Sequence, residues 1–178
     1  CDVIFRFGLK DAIERGVVKK PDYKIEDTLK KQSWEKTYSF HQHNVNEYGN
    51  QVKPISIVVT QEIATCVEVY RELIDFLIEK EGISKAEAEA KAIWVTSSVP
   101  TTGNTGDRVK AAYGPRNDKD SAEKRRKENL ETLKRVDVPG NSVEWIVSVS
   151  MLTEGWDVKN VFQVVPHESR AFSSKLLI

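Results

Sequence analysis

The run Ile146-Val-Ser-Val-Ser-Met151-Leu-Thr-Glu-Gly155-Trp-Asp157-Val-Lys-Asn-Val161-Phe-Gln-Val-Val165 decides how this chain is read. It divides into an apolar β-branched segment, a short polar loop and a second apolar segment. That is the pattern of two buried strands joined at a ligand-facing turn. The loop Met151–Asp157 holds one hydroxyl, two carboxylates, a glycine and an indole. Glycine allows a turn or a close backbone approach. Polar groups just past the carboxyl end of a parallel strand stand where open α/β sheets bind ligands.

Working outward, further strands alternate with helical patterns. Pro54-Ile-Ser-Ile-Val-Val-Thr60 and Ala92-Ile-Trp-Val-Thr96 are buried-strand runs, Glu144–Val149 is the strand before the loop, and Val161–Val165 is the strand after it. Val3–Phe7 is a further short strand candidate. Between the strands, Glu62–Lys80 places Ile63, Val67, Tyr70, Leu73, Ile74 and Leu77 on one helical face. Gly82 stops that helix, and Ser84-Lys-Ala-Glu87 is a capping-box signature that opens the next. Ser121–Arg135 reads as a charged helix anchored by Leu130 and Leu133, and Arg170–Ile178 as the start of another. Buried strands alternating with helices imply an α/β fold, a mostly parallel sheet with helices on both faces.

The amino-terminal third carries less sheet signal. Gly8–Gly16 reads as a short helix with Leu9, Ala12 and Ile13 inward, followed by an extended exit towards Pro21. Residues from about 26 to 48 form a helix in which Trp34, Tyr38, His41, Val45 and Tyr48 recur at steps of three and four. That stripe is read as packing. Val99–Asp118 is rich in turn formers and offers almost nothing to bury, so an exposed, mobile loop is expected there.

Composition excludes several classes. The 27 basic and 27 acidic residues balance, so no global field directs the chain to nucleic acid. No apolar run has membrane-spanning length, and a cytoplasmic setting is expected. The two cysteines, Cys1 and Cys66, are far apart; Cys66 falls on an apolar helical face and reads as a small buried hydrophobe. Three histidines without paired cysteines argue against a metal site. Pro21-Asp22 lacks the later acidic-x-Lys that a restriction-type nuclease centre needs. Thr-Thr-Gly-Asn-Thr-Gly, residues 101–106, lacks the Gly-Lys-Ser/Thr ending of a phosphate-binding P-loop. The basic cluster Lys124–Lys127 fits either a solvated helix face or a nucleic-acid contact.

Right-handed crossovers bring the strands' carboxyl ends to one edge. Thr60, the hydroxyls Thr96–Ser98 and the stretch Thr153–Asp157 therefore gather there. At Thr96–Ser98 the hydroxyls suit phosphate oxygens and equally suit capping of the next turn.

The run Ser150–Val161 together with Pro166-His-Glu-Ser-Arg-Ala-Phe-Ser-Ser-Lys-Leu-Leu-Ile178 resembles the second RecA-like domain of superfamily-two DEAD/DEAH-type helicases. It is most similar to the ATPase (restriction) subunit of type III restriction enzymes. The likeness is strong over 144–178 and fair over 3–21 and 54–77. It implies a RecA-like, P-loop-NTPase-like fold in which residues 1–53 connect from a first motor domain. Residues 54–178 would be the second domain, cut before its last arginine-bearing motif. It implies a part of an ATP-dependent DNA helicase or translocase in a restriction endonuclease. Carried over by position, Gly155, Asp157 and Glu154 would face ATP. Thr153, Thr60, Gln61, Ser97 and Ser98 would face the nucleic-acid backbone. ATP and Mg2+ are the implied cofactors, with Mg2+ held by the first domain; DNA, that first domain and a methyltransferase or specificity subunit are the implied partners. No catalytic residue is expected here, since the chain has neither a Walker A lysine loop nor an Asp-Glu-x-His box, and phosphoryl transfer needs both. A RecA-like module that only binds nucleic acid or a partner is the alternative.

Overall fold

The computed structural model describes residues 9–17, 20, 30–100, 102–113, 119–149, 158 and 160–167. Its elements run α1 (Leu9–Glu14), α2 (Lys30–Tyr48), β1 (Ile55–Thr60), α3 (Ile63–Glu81), α4 (Lys85–Lys91), β2 (Ala92–Val95), α5 (Gly103–Tyr113), α6 (Lys119–Leu133), β3 (Trp145–Val149) and β4 (Val161–Pro166). The four strands form one sheet in the order β2-β3-β1-β4, and every pairing is parallel. This is the α/β architecture expected of a RecA-like domain.

Strand periodicity divides the core into two layers. Val58, Ala92, Trp94, Trp145 and Val147 face α3, with its Val67, Tyr70, Leu73, Ile74 and Leu77; Trp34 and Tyr38 of α2 pack against the same layer. Ile55, Ile57, Ile93, Val95 and Ile146 face the other side, where Leu133, Val136 and Val143 join them and Leu130 packs alongside. Helices thus cover both faces. The near-continuous burial of β1, β2 and β3 explains why their sequences show apolar runs instead of alternation.

Local signals act where the sequence places them. Gly82 adopts φ 66° and its N–H caps the carbonyl of Ile78, ending α3. Ser84 accepts from the Glu87 N–H, and the Glu87 carboxylate accepts from the Ser84 N–H, so both halves of the capping box are present. α2 starts at Lys30 among the described residues; it is held to the sheet by ring contacts of Tyr38 and His41 with Trp145 and of Tyr48 with Phe162.

One expectation is overturned. Much of the segment read as an exposed loop, Val99–Asp118, is helix α5, packed along α3. Gly106 and Val109, three residues apart, are buried positions among those of its residues whose burial is described. Arg108, between them, lies against α3, with Nε and Nη2 bonded to Glu68 at 2.9 and 2.7 Å and Nη1 bonded to Glu62 at 3.1 Å. Carboxylates that neutralise Arg108 and small buried residues thus help to dock a helix whose composition reads as turn. Gly103 takes φ 71° at its start, which accounts for part of the turn signal.

The pairing of β4 contains a register shift. Ile55 pairs with Val161 but Ser56 pairs with Gln163, leaving Phe162 as the extra residue. The bulge turns Phe162 towards Tyr48 and brings Gln163 beside Ser56. The strand candidate at Val3–Phe7, the loop Met151–Asp157 and the helix from Arg170 lie outside the described residues.

Candidate functional site

All four strands deliver the chain to one edge. β1 ends at Thr60, paired with Val149 at the end of β3; Val95, at the end of β2, pairs with Ser148. Gln61 is exposed in the bend between β1 and α3. Thr60 itself is only 1% exposed, and its hydroxyl lies 3.3 Å from the Ser148 carbonyl and 3.4 Å from that of Glu62. Its hydrogen is therefore directed inward, tying β1 to β3.

Past β2, Thr96 is buried and its hydroxyl donates to the Ser98 carbonyl at 2.8 Å, closing the turn. Ser97 and Ser98 are exposed beside it. Of the two readings of these hydroxyls, Thr96 follows the turn-forming one, and the two serines present theirs to solvent. His167, just past β4, donates its N–H to the Val59 carbonyl at 2.7 Å. The edge so built exposes Gln61, Ser97 and Ser98. Thr153, Glu154, Gly155 and Asp157 lie outside the described residues; β3 ends at Val149, the last described residue before them.

Charge at this edge is largely matched. Hydrogen bonds to Glu68 and Glu62 raise the Arg108 pKa further and hold its guanidinium on α3. Glu62, the residue before α3, has extended backbone and no side-chain cap bond, because its carboxylate is turned to Arg108. Three of the four basic residues of the α6 cluster are likewise paired: Arg126 with Glu123 at 2.6 Å, Arg125 with Glu89 at 3.3 Å, Lys124 with Glu128 at 3.9 Å. A matched helix face has little net field to draw a phosphate backbone. Among the described residues, no group of three or more His, Cys, Asp or Glu side chains is arranged to hold a metal ion. Burial pushes the Cys66 thiol up to about 12, partly offset by hydrogen bonds, which leaves it inert as a nucleophile. No helix among the described residues is long and apolar enough to cross a membrane.

At the opposite end of the strands lies a polar cluster that periodicity did not reveal. His41 Nδ1 is 2.9 Å from Ser56 Oγ, Ser56 Oγ is 2.8 Å from Gln163 Oε1, and His41 Nε2 is 3.5 Å from Glu144 Oε2. Lys91 Nζ lies 3.9 Å from Glu144 and 2.6 Å from Glu81, which also accepts from Tyr38 at 3.2 Å. Hydroxyl, imidazole and carboxylate in sequence are the groups of a nucleophilic triad. Here Ser56 and His41 are both 0% exposed, so no substrate reaches the hydroxyl, and the cluster serves the fold. The available sequence signal was a serine inside an apolar strand and a histidine inside an apolar helical stripe, both polar groups at core positions. Compared with family models, curated proteins and solved structures, the chain found no match in any of the three.

Proposed function

We propose that this chain is part of the second motor domain of an ATP-driven DNA translocase of the restriction type, contributing one wall of the ATP cleft and part of the DNA-backbone track. The observation that supports this reading most is the all-parallel sheet, whose shared carboxyl edge exposes Gln61, Ser97 and Ser98. Neutral hydroxyls and amides at such an edge suit the phosphate backbone, which is gripped without reading sequence. In this reading Thr153 adds a further phosphate contact, Gly155 lets the backbone approach closely, and Asp157 and Glu154 face the nucleotide. ATP binds between this domain and a first RecA-like domain that supplies Mg2+ and the water-activating carboxylate. The chain alone therefore hydrolyses no ATP.

The test is a titration of the chain against single-stranded and duplex DNA at rising salt. Weak binding is expected, with log affinity falling linearly in log salt, roughly one unit of slope per phosphate contact. Gln61→Ala, a Ser97→Ala/Ser98→Ala pair and Thr153→Ala should each weaken it. Absent binding at low salt, or binding indifferent to both salt and these substitutions, refutes the track. ATP turnover by the chain alone refutes the assignment of the chemistry to another domain.

A further inference from the structure

Hydrogen-bond directions in the buried cluster beneath the sheet are fixed from one end. Gln163 Nε2 donates to the carbonyl of Thr37 on α2 at 3.3 Å. Turning that amide over would set its oxygen against a carbonyl oxygen, so Gln163 Oε1 faces Ser56 and accepts its hydroxyl hydrogen at 2.8 Å. A hydroxyl has one hydrogen to give. Ser56 Oγ therefore offers only lone pairs to His41 Nδ1, 2.9 Å away, and Nδ1 must be the donor. The remaining ring nitrogen, Nε2, is buried without a hydrogen-bond partner among the described residues; the nearest charge is the Glu144 carboxylate at 3.5 Å.

We propose that His41 always carries a proton on Nδ1 in the folded chain, and that a second proton, on Nε2, latches α2 to the sheet through Glu144. With that proton in place, an imidazolium faces a carboxylate. Without it, a buried lone pair faces a carboxylate, and α2 is held less firmly. The latch is therefore tighter when Nε2 carries its proton and Glu144 is ionised. The charged and titratable groups around the ring are Glu144 opposite, Lys91 and Lys53 beside Glu144, Glu81 beyond Lys91, and Tyr38 on α2 itself. Burial pushes the Glu144 carboxyl up, but the nearby His41 ring and the charges of Lys91 and Lys53 outweigh this and hold it below the usual carboxylate value. None of this depends on the motor reading.

The test is nitrogen NMR of the full chain labelled in its histidines, with the exposed ring of His43 as the comparison. At alkaline pH, His41 should show a protonated Nδ1 and a bare Nε2. On acidification both nitrogens should read as protonated. The backbone amides of α2, corrected for the intrinsic pH dependence of exchange, should then gain roughly tenfold in protection relative to those of α3, the scale of one hydrogen bond to a charged group. A neutral ring protonated on Nε2 overturns the proposal. So does α2 protection that keeps the same ratio to α3 at both pH values. Glu144→Gln should keep the Nδ1 proton and abolish the pH response of α2; a full response in that variant overturns the role of Glu144. Should that variant fail to fold, the native-chain spectra decide alone.

Discussion

Trp145 offers a quantitative check on the layer between α2 and the sheet. Its side chain is 0% exposed; its ring stacks on Tyr38 at 6.5 Å and 7°, and lies 4.3 Å from the His41 ring. Its indole N–H has no hydrogen-bond partner among the described residues. Truncation to alanine removes the ring and leaves a cavity, a change that costs about 3–5 kcal/mol. Substitution by phenylalanine keeps an aromatic face for both neighbours, gives up part of the volume, and removes the orphaned donor. An unsatisfied buried donor costs about 1–3 kcal/mol, which offsets the lost packing. Trp145→Phe should therefore lie within about 1 kcal/mol of the native chain, and Trp145→Ala about 4 kcal/mol below it. Urea denaturation followed by circular dichroism, with the m-value held as a check on two-state behaviour, measures both. A phenylalanine variant as unstable as the alanine variant would show that the N–H is satisfied or that the indole shape itself is indispensable, and the reasoning would fail.

Three further outcomes follow from single features. Gly82 sits at φ 66° with open space where a Cβ would project, so Gly82→Ala should cost about 1 kcal/mol through backbone strain alone and Gly82→Asn less, as read by thermal melts; a neutral alanine removes the strain argument. The Glu144 carboxyl is depressed on folding, so its stabilisation is present above the unfolded carboxylate value and lost as pH falls through the folded one; acid denaturation of Glu144→Gln should show a shallower limb than the native chain, and identical limbs would contradict this. Cys66 is 0% exposed with its thiol pushed up to about 12 by burial, so in a Cys1→Ser background a thiol reagent should label nothing in the native chain and one equivalent in denaturant; rapid native labelling would place Cys66 at the surface.

Strand and helix signals were legible wherever one residue class carried them. The β-branched runs at Ile55–Thr60 and Trp145–Val149, the apolar face of α3, the Gly82 stop and the Ser84–Glu87 box all depend on local chemistry, and all stand as the sequence implies. α5 was not legible because its docking relies on partners far along the chain: Glu62, Thr65 and Glu68 receive Arg108 across about 40 positions. The His41–Ser56–Gln163 chain was hidden for the same reason. It also depends on the bulge at Phe162, since without that shift Ser56 would stand opposite phenylalanine. At the carboxyl edge, Gln61, Ser97 and Ser98 are exposed as a binding role requires, whereas Thr60 spends its hydroxyl between the two central strands. A hydroxyl in an edge motif was readable from the sequence; whether it points out or in depends on the register of its neighbour.

The strand order gives the two ends of the sheet different work. β3 and β1 are the central pair. At their amino ends, Trp145 and Ser56 hold α2 through rings and a buried polar chain, every member of which is enclosed or partly enclosed. At their carboxyl ends, the cross-strand bond from Thr60 to Ser148 closes the pair, and the chain passes immediately into exposed Gln61 on one side. Burying polar groups demands that each find a partner, which enforces one arrangement of α2 on the sheet. Exposed hydroxyls and amides carry no such demand and stay free for a ligand. A rigid base with adaptable groups at its rim is how α/β folds present binding loops. On this argument the sheet's amino end fixes the position of its carboxyl edge, and the side chains that stabilise the fold are not those left exposed at that edge.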